Sequence, residues 1–133
     1  MMFNIHTGRS VPKLPNDEIV ILVSSLHRLR EQGITFIFTN QHAYPVTADF
    51  FTDVADLDRI EWPLLQSWGF QHDPEDPAKK ERYQAEALPW WHVPVGALDG
   101  VACYSQETEQ RLQAEIESRG LALKTGIQPN WYF

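Results

Sequence analysis

The chain has 133 residues, 43% of them hydrophobic and 22% charged, the profile of one soluble globular domain with one core and not of a disordered or fibrous chain. A formal net charge of -7 and a pI near 5.1 argue against a protein that coats nucleic acid through bulk electrostatics, so any DNA contact has to be local. No apolar run approaches the roughly 20 residues of a membrane helix, there is no basic-then-apolar leader, and the single Cys103 lacks a disulfide partner, so a cytoplasmic protein is expected.

Residues 18–23, with Ile19, Val20, Ile21 and Leu22 in succession, read as a buried strand. Ser24 or Ser25 then caps a helix whose apolar face is Leu26, Leu29 and the stem of Arg30, and Gly33 ends it. Residues 35–38 are β-branched and aromatic and form a second strand, stopping at the polar Thr39, Asn40 and Gln41. Between 50 and 70, acidic and apolar residues alternate around Trp62 and Trp68. Short helices fit this stretch, with Pro63 in a first helical turn.

The Asp/Pro-rich residues 73–77 interrupt any longer helix, and the basic cluster Lys79, Lys80 and Arg82 follows. Composition alone reads that cluster as a solvated loop with a helical turn, because mixed charge is ordinary surface. Residues 82–88 fit two patterns. If extended, Gln84, Glu86 and Leu88 share a face; by propensity the same Ala and Glu residues favour a helix. Residues 101–104 read as a strand, 106–118 as an amphipathic helix ended by Gly120, and 121–124 as a closing strand.

The chain contains no G-x-G-x-x-G, no G-x-x-x-x-G-K-[ST], no G-x-S-x-G and no H-E-x-x-H, so nucleotide-loop, hydrolase-elbow and zincin chemistries lack their residues. His6, His27, His42, His72 and His92 are far apart in sequence, and no metal ligand set is expected.

Several segments, taken in order, resemble the DarT family of DNA ADP-ribosyltransferase toxins. They are Asn4-Ile5-His6-Thr7-Gly8, residues 18–25, Phe38-Thr39-Asn40-Gln41-His42-Ala43, the run from Lys80 through Gln84-Ala85-Glu86 to Leu88, His92-Val93-Pro94, and the terminal Trp131-Tyr132-Phe133. The resemblance runs nearly end to end. It implies an α+β, ADP-ribosyltransferase-like fold, a mixed and mainly antiparallel split sheet with flanking helices, with NAD as donor and a base of single-stranded DNA, typically thymine, as acceptor. It also makes residues 82–88 a strand, with Glu86 directed into the NAD cleft.

The implied chemistry has a physical basis. Breaking the nicotinamide–ribose bond builds positive charge on the sugar, and a fixed carboxylate stabilises that charge more in the transition state than in the ground state. Glu86 is the expected catalytic anion and general base. Without the resemblance it would read as an exposed helix-face glutamate. His42 is the second expected catalytic residue, although a lone histidine in a polar loop also suits capping or simple solvation. The resemblance further assigns Met2, Asn4 and His6 to NAD, and Lys79, Lys80, Arg82 and Tyr83 to the DNA, where phosphate contacts position the strand and bases are read by stacking and edge hydrogen bonds. Tyr83 and Trp91 are candidate stacking residues, and core or rim packing explains each equally well.

The family domain begins upstream of Met1, so its N-terminal strands are expected to be absent and residues 1–133 to form a single, N-terminally incomplete domain. An open sheet edge in such a chain favours association. A macrodomain antitoxin is the implied partner. The alternative reading is a truncated, non-catalytic remnant acting as a DNA- or antitoxin-binding module.

Overall fold

The computed structural model describes residues 5, 7, 8, 11–67, 69 and 71–132; Met2, Asn4 and His6, expected at the donor site, lie outside these. The chain resolves into two compact units. One combines residues up to Arg28 with those from Pro94 onward, and the other is the continuous stretch Leu29–Val93. Each has its own three-stranded sheet.

In the first unit, β1 (Ile21–Val23) pairs antiparallel with β5 (Gly100–Cys103), which pairs parallel with β6 (Lys124–Ile127). A parallel pair needs a long crossover, supplied by the 13-residue helix α4 (Gln106–Ser118). Ser105 starts it, its side chain accepting from the Thr108 amide, and the Ser105 hydroxyl also meets the Asp17 carboxylate. The helix ends in a Schellman cap. Gly120, at φ 64°, donates to Glu117 and Leu121 donates to Ile116, so orphan carbonyls of the last turn are satisfied. β5 forms the centre: Val101, Ala102 and Cys103 are all buried. Tyr132 closes the unit, its hydroxyl within 3.0 Å of the Ile19 carbonyl and 3.1 Å of that of Ala102.

Two expectations are corrected here. The strand expected over 18–23 begins only at Ile21, because 16–18 form a 3-10 turn. It is not buried throughout: β1 is an edge strand, so Leu22 is 62% exposed while Ile19 is buried. The closing strand expected at 121–124 starts at Lys124, since Leu121 is consumed by the helix cap.

The second unit is a β3–β2–β4 sheet of antiparallel pairs: β2 (Phe36–Thr39) lies between β3 (Phe50–Phe51) and β4 (Ala87–Pro89). Helix α1 (Leu26–Glu31) precedes it, with Ser25 accepting from the Arg28 amide. Gly33, at φ 69°, ends α1 with the same two-bond cap, Gly33 to Arg30 and Ile34 to Leu29. After β3 the chain makes a 3-10 turn, Val54–Arg59, capped by Asp53, and the short helix α2 (Trp62–Gln66) with Pro63 in its first turn; of the short helices expected over 50–70, the start is corrected, because Phe50–Phe51 pair with β2 as a strand. Phe36, Phe38, Val54, Ile60 and Leu64 are buried. Phe38 stacks on Phe51 at a ring separation of 5.3 Å. Burial of each such side chain is worth about 1.5–3 kcal/mol. Among the described residues, no helix is long and apolar enough to cross a membrane.

Residues 82–88 split the two patterns seen in the sequence. Lys79–Arg82 form a helical turn, α3, and residues 83 and 84 form a turn. The regular strand begins at Ala87, so the strand implied over 82–88 is confined to its end.

Candidate functional site

Glu86 stands one residue before β4. The Thr39 amide donates to the Glu86 carbonyl at 3.0 Å, continuing the register set by Phe38 opposite Ala87. The main chain of Glu86 is therefore fixed as if it were strand. Its side chain turns toward the loop that leaves β2. There the Ala43 amide donates to Glu86 Oε1 at 2.8 Å, and His42 Nδ1 lies 3.1 Å from the same oxygen. The two side chains are 42% and 37% exposed, so the carboxylate is held from one side and still open to solvent. Glu86 and His42, 44 positions apart in the sequence, are thus brought together.

His42 Nδ1 also lies 3.3 Å from the Tyr44 amide. One ring nitrogen does not serve both contacts at once. Carrying a proton, it donates to Glu86; without one, its single lone pair accepts from the Tyr44 amide and no hydrogen bond joins it to the carboxylate. The imidazole is therefore a group whose proton location changes what Glu86 feels.

The loop carrying His42 is pinned along its length. Asn40 and Asp49 exchange two hydrogen bonds, Asn40 Nδ2 to Asp49 Oδ2 at 2.9 Å and the Asp49 amide to Asn40 Oδ1 at 3.1 Å. Gln41 donates to Thr47 at 2.7 Å, and the His42 amide donates to the Glu81 carbonyl at 2.8 Å. At its base Thr39, almost wholly buried, donates its hydroxyl proton to the Gln41 carbonyl at 2.5 Å.

The basic cluster is divided in its roles. The Arg82 guanidinium reaches both oxygens of Asp76, at 3.0 and 2.6 Å, and Glu61 Oε2 at 2.6 Å. Arg82 beside it holds the Asp76 carboxyl below the usual carboxylate range, and the two acids raise the Arg82 pKa in turn. Arg82 thereby ties α3 to the start of α2. Lys79 Nζ lies 3.7 Å from Asp73, whereas Lys80 is exposed. Tyr83 is half-buried, with its hydroxyl donating to the Leu65 carbonyl at 3.0 Å. Trp91 is 88% exposed and has a positive φ of 74°. Among the described residues no group of three or more His, Cys, Asp or Glu side chains is arranged to hold a metal ion.

The sequence reading missed two members of this arrangement, the Thr39 hydroxyl and the Ala43 amide. A polar residue closing an apolar strand was a signal for the first. The second has none, since every residue except proline carries the same amide donor.

The chain matches, over residues 1–133, the family model described as "ssDNA thymidine ADP-ribosyltransferase, DarT". A DNA ADP-ribosyl transferase of Escherichia coli O127:H6 is 46% identical over 134 residues, covering 100% of this chain and 62% of the relative. The solved structure of Thermus sp. 2.9 DarT in complex with NAD+ superposes with a TM-score of 0.88 at 24% identity, over 99% of this chain and 66% of that one. The same DarT in complex with ADP-ribosylated ssDNA superposes with a TM-score of 0.87, over 99% and 63%. At that identity the likeness establishes the α+β fold with its split, mainly antiparallel sheets. The chain spans a little under two thirds of the length of the E. coli relative. On the family match over residues 1–133, the chain belongs to the DarT family.

Proposed function

We propose that this chain carries the catalytic carboxylate of an NAD-dependent transferase that attaches ADP-ribose to a base, thymine by preference, in single-stranded DNA. The observation that carries this reading is the half-exposed Glu86 carboxylate, held by the Ala43 amide at 2.8 Å and facing His42 at 3.1 Å. Family membership and the relatives' names support the substrate pair.

In this reading Glu86 faces the donor ribose and stabilises the positive charge that develops as the bond from C1′ to nicotinamide nitrogen breaks. The bonding pair leaves with nicotinamide, and the new bond forms between C1′ and a ring nitrogen of the acceptor. Thymine in a nucleotide has one ring N–H, at N3. Glu86 removes that proton as the bond forms, a role typically worth about 10²–10⁴ in rate. His42 acts on Glu86, stabilising the anion when Nδ1 carries a proton. Met2, Asn4 and His6 are assigned to the donor on the resemblance alone.

For the acceptor strand, exposed Lys80 is the better phosphate contact of the basic cluster, with Lys79 beside it. Arg82 and Tyr83 serve as its scaffold, given their ties to Asp76, Glu61 and Leu65. Such a transferase is toxic in the cytoplasm unless the modification is reversed, and a macrodomain antitoxin is the fitting partner.

Intact-mass analysis of oligonucleotides that each contain one base type, incubated with NAD and the chain or its Glu86→Gln variant, tests the reading. A gain of one ADP-ribose on the thymine oligonucleotide, absent with the variant, is expected. No gain on any oligonucleotide would sink the proposal for this chain and favour a non-catalytic binding module.

A further inference from the structure

We infer that Thr39 is the positioning residue of this site: its buried hydroxyl sets where the Glu86 carboxylate stands relative to His42 and the Ala43 amide. The inference rests on the reading of Glu86 as the catalytic carboxylate.

Thr39 is 1% exposed and is, with Thr108, one of the buried polar side chains among the described residues. A central strand position in an apolar layer is well filled by a β-branched hydrocarbon. Valine has the same shape as threonine, so what distinguishes this residue is its hydroxyl. A hydroxyl has one proton and two lone pairs, and both functions are used here. The proton goes to the Gln41 carbonyl at 2.5 Å, and the oxygen accepts the Glu86 amide at 3.3 Å. The Thr39 backbone amide binds the Glu86 carbonyl at 3.0 Å. Glu86 is therefore held at both its N–H and its C=O by one residue.

The other end of the hydroxyl bridge matters equally. Holding the Gln41 carbonyl fixes the plane of the Gln41–His42 peptide, whose N–H is anchored on Glu81 at 2.8 Å. The next amide in the chain, Ala43, binds Glu86 Oε1. The contacts close a ring: Glu86 backbone, Thr39 hydroxyl, Gln41 carbonyl, the 42–43 backbone, Glu86 carboxylate. Removing the hydroxyl opens that ring at one point and leaves every catalytic group present. Since displacements of about 1 Å in a catalytic group can cost on the order of 10²-fold in rate, the expected loss falls on kcat.

The test compares the full chain with Thr39→Val, which keeps shape and loses the hydroxyl, and Thr39→Ser, which keeps the hydroxyl. Two quantities are read: kcat and KM for NAD-dependent labelling of a thymine-containing oligonucleotide, and amide hydrogen exchange at Ala43. Thr39→Val is expected to lower kcat by about tenfold, the equivalent of one lost hydrogen bond, with KM for NAD and oligonucleotide unchanged and Ala43 exchanging about tenfold faster. Thr39→Ser is expected to restore both. Unchanged kcat and Ala43 protection in Thr39→Val overturn the inference, as does a rise in KM alone or a serine variant as impaired as the valine one. Should Thr39→Val fail to fold, loss of either property in Thr39→Ser overturns it and retention of both supports it. An inactive parent chain removes the catalytic reading of Glu86, and Ala43 exchange alone then decides whether the hydroxyl positions the loop.

Discussion

Gly100→Ala tests whether the contact between β5 and β6 is as close as described. A Cβ on Gly100 would lie 2.7 Å from the Lys124 carbonyl oxygen, about 0.6 Å inside an ordinary carbon–oxygen approach of roughly 3.3 Å. The obstructing atom is backbone of the paired strand, with Gly100 opposite Lys124 in the parallel register, so no side-chain rotation relieves it. Overpacking of this kind costs about 1–3 kcal/mol. Replacing glycine by alanine returns about 0.4–1 kcal/mol by restricting the unfolded chain, leaving a net loss of about 1–2 kcal/mol. With an unfolding entropy near 2.1 cal/mol/K per residue, that loss lowers the melting temperature of a chain this size by roughly 5 °C. Gly126→Ala is the internal control, since Gly126 lies in the neighbouring strand with nothing within 4 Å of its added Cβ. It should be neutral or slightly stabilising. Urea and thermal unfolding followed by far-UV circular dichroism measure both variants. Equal midpoints for the two, or a Gly100→Ala chain as stable as the parent, would refute the argument.

Three further outcomes follow from the geometry. Asp76 is held below the usual carboxylate range by its hydrogen bonds to Arg82, so its contribution to stability is present above the unfolded value of about 3.9 and is lost as pH falls through the folded value; the urea midpoints of the parent and Arg82→Gln should differ more at pH 6 than at pH 3, and a constant difference would contradict this. Trp91 combines a φ of 74° with 88% exposure, so Trp91→Asn, which tolerates that backbone and loses little packing, should raise stability by about 1 kcal/mol in urea titrations. Burial raises the Cys103 thiol pKa, and the folded protein should resist iodoacetamide at neutral pH until urea unfolds it; rapid stoichiometric alkylation of the native chain would count against the buried assignment.

The elements legible in the sequence are those whose ends carry chemistry of their own. Helix α4 occupies the residues expected for it, 106–118, and ends at Gly120; α1 is capped by Ser25, one of the two serines expected there, and ends at Gly33. Residues 79–88 were not legible, because their Ala, Glu and Lys propensities favour a helix throughout, while pairing with β2 overrides that preference only from Glu86 onward. Tertiary pairing of this kind has no local signature. The resemblance singled out Glu86 and His42 as expected site residues, and the structure brings the two side chains together. Their meeting depends on a turn at residues 40–43 whose geometry is set by hydrogen bonds to main-chain groups. The sharing of the Arg82 guanidinium between Asp76 and Glu61 was equally invisible, since Glu61 stands 21 positions away in the sequence.

The order of the chain through its two units also bears on how it folds. The second unit is one uninterrupted stretch placed between the two segments of the first. Pairing of β1 with β5 must join Val23 to Gly100, a closure that spans the whole insertion. If the insertion folds first, the hydrogen bond from the Trp90 amide to the Thr35 carbonyl already brings positions near its two ends together. The remaining closure then involves roughly a quarter to a third of the original loop length, which lowers its entropic cost by about 1 kcal/mol. Residues 29–93 are thus expected to acquire protection from hydrogen exchange before β1 and β5 do, and the unit bearing Glu86 prepares the closure of the unit that surrounds it in sequence.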